Sequence, residues 1–106
     1  MKKNYWLSYD LGVGGDYDHL YQWLDDHEAK TCGNSIAFFT FDYEADADKE
    51  LLESITSSVQ LNPGNILYAI RVKEGSFKPT GSFLFGKRQS APWVGFGSST
   101  KDSVDE

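Results

Sequence analysis

The segment that most constrains this chain is Ile36-Ala37-Phe38-Phe39-Thr40-Phe41. It is aromatic and nearly continuous in its apolar character. Such a run predicts a central strand from Ser35 to Tyr43, covered on at least one face. The chain has 106 residues, 40% of them hydrophobic and 15% aromatic. That is enough for one domain around one core, and too apolar for a globally disordered chain.

The flanking segments define the rest of the order. Tyr5, Leu7 and Tyr9 alternate with Trp6, Ser8 and Asp10, which is the period of a strand. Gly12, Gly14 and Gly15 then interrupt the pattern. Asp16-Tyr17-Asp18 places acids where a helix dipole favours them. Tyr17, Leu20, Tyr21 and Leu24 recur at helical spacing, so a helix is expected from Tyr17 to Glu28. Thr31 to Asn34 reads as a turn. Asp46 or Asp48 caps a second helix carrying Leu51, Leu52, Ile55 and Val59. Asn62 to Asn65 is a turn. Ile66 to Val72 is a third strand, with Ile66, Tyr68, Ile70 and Val72 on one face. Lys73 to Ser76 is a connector, and a fourth strand lies around Ser82 to Phe85.

The order strand, helix, strand, helix, strand, strand predicts an α+β fold. The expected form is a ferredoxin-like sandwich, an antiparallel sheet with two helices on one face and an extra C-terminal strand or hairpin. A small parallel α/β sheet is the alternative, but 106 residues leave little helical cover for its two faces. Residues 1–97 form the single expected domain, and 98–106 a disordered polar tail.

Charge is unevenly distributed. The net charge is −6. From Asp16 to Glu53 eleven acids face only Lys30 and Lys49, giving −9. From Arg71 to Arg88 five bases face only Glu74, giving +4. The acidic first half repels phosphate backbones, while the basic later segment attracts them. The plain account of both is solvated surface.

Cys32 is the single cysteine, so no internal disulfide supports the fold. No N-terminal apolar region of signal-peptide type and no membrane-spanning run are present, so the expected location is the cytoplasm, with no membrane partner.

Candidate chemistry is sparse. Asp10 ends the first strand where it meets a glycine loop, a place suited either to metal-dependent chemistry or to a turn carboxylate that accepts backbone N–H groups. Gly12-Val13-Gly14-Gly15 lacks the later spacing of a dinucleotide fingerprint and the lysine of a P-loop. His19 and His27 lie eight residues apart on one helix, too far to hold one metal together, and Cys32 has no Cys-x-x-Cys partner. Ser8 shares a strand face with Asp10, and Ser35 opens the second strand. Each is a candidate contact to a phosphate or a water. Lys87 and Arg88, followed by Trp93, combine bases with an aromatic, as single-strand binders do. The same residues also suit an arm that docks Trp93 on a core or a partner.

The sequence resembles the superfamily that joins the small CRISPR adaptation nuclease, the second Cas protein, with the virulence-associated protein D toxins. The residues carrying the resemblance are Tyr9-Asp10, Leu20 to Leu24, Asn34-Ser35 with Ile36 to Phe41, Leu51 to Val59, and Asn65 to Ile70. They span roughly residues 4 to 72. The resemblance implies a ferredoxin-like homodimer and, in many members, a metal-dependent endoribonuclease. By resemblance Asp10 is the catalytic carboxylate and a magnesium or manganese ligand, facing its counterpart across the dimer axis. Other members use the fold as a scaffold. Two features depart from the pattern: no base stands between Leu11 and Gly15, and the segment from Phe77 to Gly97 is longer and more aromatic. The alternative function is a non-catalytic acidic protein-interaction module, or a nucleic-acid-mimicking inhibitor, in a mobile-element or defence system.

Overall fold

The computed structural model describes residues 1–72 and 75–98. Its elements are β1 (Lys2–Asp10), α1 (Tyr17–Asp26), β2 (Lys30–Thr31), β3 (Ile36–Asp42), α2 (Ala47–Thr56), β4 (Ile66–Val72) and β5 (Pro79–Phe85). The five strands form one sheet in the order β2-β3-β1-β4-β5. Every neighbouring pair is antiparallel. β1 and β2 therefore run parallel with β3 between them, and β3 and β4 run parallel with β1 between them. Two such split β-α-β units are the ferredoxin-like sandwich that the sequence predicts. β5 adds the extra C-terminal strand, forming a hairpin with β4.

Two details differ from the sequence reading. The segment read as a turn from Thr31 begins with a two-residue strand, because Lys30 pairs with Phe38 and Thr31 with Ala37. α1 ends at Asp26 rather than Glu28, while the aromatic β3 lies between β1 and β2 as the expected central strand. The last residues of the expected tail, 99–106, and Lys73 and Glu74 of the expected connector lie outside the described residues.

The core lies between the sheet and the two helices. Tyr5, Leu7 and Tyr9 of β1, Ala37, Phe39 and Phe41 of β3, and Leu67 and Ala69 of β4 point into it. Leu20, Trp23 and Leu24 of α1 and Leu51 and Ile55 of α2 close it from the other side. Edge-to-face contact between Trp23 and Phe39, with centroids 5.1 Å apart, locks α1 onto β3. Asp16 caps α1 by accepting from the His19 amide, and Asp46 caps α2 by accepting from the Lys49 amide. Glu50 strengthens the second cap by accepting the amides of Glu44, Ala45 and Asp46, each at 2.8 Å.

Among the described residues no helix packs on the opposite face of the sheet. That face carries Trp6, Ile36, Phe38, Ile66, Tyr68, Ile70 and Phe83, all half-buried. A bulge in β5 sets its pattern. Tyr68 opposes Phe83 but Leu67 opposes Phe85, so one extra residue turns both Leu84 and Phe85 toward the core and leaves Phe83 outside. Among the described residues no helix is long and apolar enough to cross a membrane.

Candidate functional site

Asp10 is the last residue of β1 and is exposed. Strand alternation puts its side chain on the uncovered face with Trp6 and Ser8. Its neighbour across the ladder is Ile66. Its Oδ1 accepts the Gly12 amide at 3.0 Å, an Asx turn that opens the glycine loop. Gly12 has φ +66, a left-handed conformation that favours glycine and lets the chain reverse beside the carboxylate.

The loop after Asp10 is tied down by two residues from other elements. Tyr17 Oη accepts the Leu11 amide at 3.1 Å. Asn65, buried in the turn before β4, donates from Nδ2 to the Leu11 carbonyl at 3.1 Å and accepts the Asn62 amide at Oδ1. A recess of about 350 Å³ lies on the other side of that turn, lined by Pro63, Ile66, Phe85, Lys87 and Gln89.

The other sequence candidates are scattered. Ser8 is half-buried on the same face as Asp10. Ser35 is exposed just before β3, where its carbonyl accepts the Tyr9 amide at 3.0 Å. The Arg88 guanidinium stands 5.3 Å from the centre of the Phe83 ring, which places it at the uncovered face. Trp93 belongs to a turn closed by amide bonds from Val94 to Ala91 and from Phe96 to Trp93. Trp93, Val94 and Phe96 are all exposed there. The structure thus brings Ser8, Asp10 and Arg88 to one face.

The histidines and the cysteine make no site. His19 Nδ1 lies 2.8 Å from Asp16 Oδ1 at the start of α1. His27 stacks on Trp23 with centroids 3.7 Å apart, and its Nδ1 lies 2.8 Å from the Trp23 carbonyl oxygen. Cys32 is exposed. Among the described residues no group of three or more His, Cys, Asp or Glu side chains is arranged to hold a metal ion. Asp10 offers a single exposed carboxylate, with Oδ1 accepting the Gly12 amide; one carboxylate completed by waters is the fewest protein ligands a magnesium or manganese ion takes.

A polar cluster on the core side has no counterpart in the sequence reading. Tyr5 Oη donates to Asp48 Oδ1 at 2.6 Å, and Arg71 pairs with Asp48 Oδ2. Arg71 also donates to Ser82 Oγ at 3.0 Å and to the Ala69 carbonyl at 3.1 Å. Burial first, then the bond to Asp48, raises the Tyr5 pKa far above that of an ordinary tyrosine. Tyr5 is therefore a neutral donor, and the cluster is a clamp between the start of α2 and the strands β1, β4 and β5.

No family model, curated protein or solved structure matches the chain.

Proposed function

We propose that this chain is a homodimeric, divalent-metal-dependent endoribonuclease of the type that the resemblance names. The observation that supports this reading is the position of Asp10, exposed at the end of β1 on the sheet face opposite the two helices. A second copy approaching that end sets two such carboxylates near each other, and the pair doubles the single carboxylate. The exposed Trp93, Val94 and Phe96 are apolar groups available to hold that copy. The test is RNA cleavage by the native chain and by Asp10→Ala, each with and without magnesium. Cleavage that survives in the variant, or a solution mass of one chain under assay conditions, defeats this reading.

A second reading is favoured by the bond from the Gly12 amide to Asp10, which gives the carboxylate a structural role. In that reading the chain is a non-catalytic module whose acidic side docks on a basic partner or imitates nucleic acid. Acids concentrate on and around the helices, with Asp18, Asp25 and Asp26 on α1 and Glu50 and Glu53 on α2. Neutralising Asp25, Asp26 and Glu28 together then abolishes partner capture and leaves the fold intact. Unchanged capture removes the basis of this reading.

A further inference from the structure

We propose that the uncovered sheet face binds single-stranded RNA by stacking bases on two aromatic pairs, Trp6 with Phe38 and Tyr68 with Phe83. The inference takes from the proposed function only that the ligand is RNA, and it does not depend on cleavage.

These rings come from four consecutive strands, β1, β3, β4 and β5, and lie in the middle of the face. Trp6 and Phe38 are direct cross-strand partners, with centroids 4.9 Å apart. Tyr68 and Phe83 are likewise partners, 4.8 Å apart. The platform from β3 to β5 crosses three strand spacings, about 14 Å. That width suits two or three unstacked bases, and a four-stranded sheet offering aromatic rings to splayed bases is a general solution for single-stranded RNA.

Three further observations favour RNA over an apolar protein surface. First, Tyr68 lies across the neighbouring strand: a Cβ built on Gly81 would come within 2.4 Å of its Oη and 2.8 Å of its Cζ. A ring laid along the sheet turns its π-face outward, the orientation a base requires, while Phe83 stands at 73° to it, so this pair offers a base one face and one edge. Second, polar groups are interleaved with the rings. Thr40 Oγ1 donates to Asn4 Oδ1 at 2.7 Å, Ser8 stands between Ile36 and Tyr68, and a recess of about 400 Å³ beside Trp6 is lined by Lys2, Asn4, Val72 and Ser76. Such groups can meet base edges and ribose hydroxyls. Third, charge is divided between the two sides of the sheet. Acids crowd the helical side, while Lys2 lies beside Trp6 and Arg88 stands over Phe83. The open face carries Lys2 and Arg88 against Asp10 and Asp42, with Asp42 directly opposite Lys2, so it repels a phosphate chain less than the helical side does.

The test is binding of the full 106-residue chain to a fluorescently labelled single-stranded RNA of mixed sequence, with the same sequence as a duplex for comparison. Leucine replaces each ring in turn (Trp6→Leu, Phe38→Leu, Tyr68→Leu, Phe83→Leu), which keeps the face apolar and removes the π-system. Each replacement is expected to weaken single-strand binding about 5- to 150-fold, with duplex binding weaker throughout. Circular dichroism confirms the fold of each variant. The outcome that overturns the proposal is single-strand binding unchanged in all folded variants, or no single-strand binding by the native chain. A solution dimer that the leucine variants dissociate, without RNA binding, also overturns it and assigns the face to a second copy. Measuring binding in excess EDTA separates this inference from the nuclease reading: without divalent metal no cleavage of that type proceeds, so loss of binding in the leucine variants stands whether or not Asp10 governs cleavage.

Discussion

Tyr5 and Asp48 are 43 residues apart in sequence and 2.6 Å apart in space, phenol to carboxylate. The bond joins the middle strand to the first turn of α2. Asp48 also holds Arg71, whose guanidinium lies on the core side of β4 with 14% of its side chain exposed. Removing the carboxylate leaves a buried phenol and a nearly buried cation without their partner. Asp48→Ala is expected to destabilise the fold by about 2–3 kcal/mol, reduced from the cost of breaking a fully buried pair because Asp48 is one-third exposed. Asp48→Asn, which keeps an acceptor for Tyr5, should cost less. Urea denaturation at neutral pH measures both, and a loss below about 0.5 kcal/mol in the alanine variant contradicts the role given to the clamp.

Asn65 joins two loops that are distant in sequence, accepting from Asn62 and donating to Leu11. Its side chain is buried, so Asn65→Ala strands the Leu11 carbonyl and the Asn62 amide. A cost of about 1–3 kcal/mol is expected. Faster hydrogen exchange at the Leu11 and Gly12 amides should accompany it, since both lie in the loop that Asn65 anchors. Exchange as slow as in the native chain would show that Tyr17 alone holds this loop.

The residues that carried these elements were unequally visible in the sequence. Tyr5, Leu7 and Tyr9 alternate with Trp6, Ser8 and Asp10, so the first strand followed directly, and the fold buries the first set. Asp46 was one of two candidate caps for α2, and the other, Asp48, turns out to hold the clamp. β2 was invisible because Lys30 and Thr31 are both exposed and carry no apolar period; only their pairing with β3 defines them. β4 shows a deeper limit. Its more apolar set, Ile66, Tyr68, Ile70 and Val72, faces away from the helices, while Leu67, Ala69 and Arg71 face them. Periodicity gives two faces and does not say which is inner. The Arg71 charge argues against the inner choice until Asp48, brought close by the fold, pairs with it. Asp10 was legible both as a site candidate and as a turn carboxylate, and its bond to Gly12 is the turn form of that pair.

Gly81 and Tyr68 give a prediction that separates packing from stability. The atoms nearest a new Cβ at Gly81 are the outer ring atoms of Tyr68, not backbone. Gly81→Ala should therefore turn the ring rather than break the strand. The strand itself gains from replacing glycine, by about 0.5–1 kcal/mol, which offsets the cost of moving the ring. The expected net change in stability is within about 1 kcal/mol, with a clear shift of the Tyr68 and Phe83 ring resonances by NMR. Unmoved resonances would mean that the ring does not lie over Gly81 in solution.

Stability should fall at both ends of the pH scale, for groups that can be named. The Gln60 amide and then His19 hold the Asp16 carboxyl below its ordinary value of 3.8, and three backbone amides hold Glu50 below 4.5. A depressed folded pKa means that the unfolded chain takes up protons first. The contribution of these groups is present above the ordinary carboxylate range and is lost as pH falls through it toward their folded values. Tyr5 and Tyr9 are raised above 10.0, chiefly by burial, so their contribution is complete below pH 10 and is lost as pH rises beyond it. Thermal melts across this range should show a plateau between the two limbs. Glu50→Gln should flatten the acid limb and leave the alkaline limb unchanged, and Tyr9→Phe should flatten the alkaline limb alone. An acid limb equally steep in Glu50→Gln would show that the Glu50 cap does not set it.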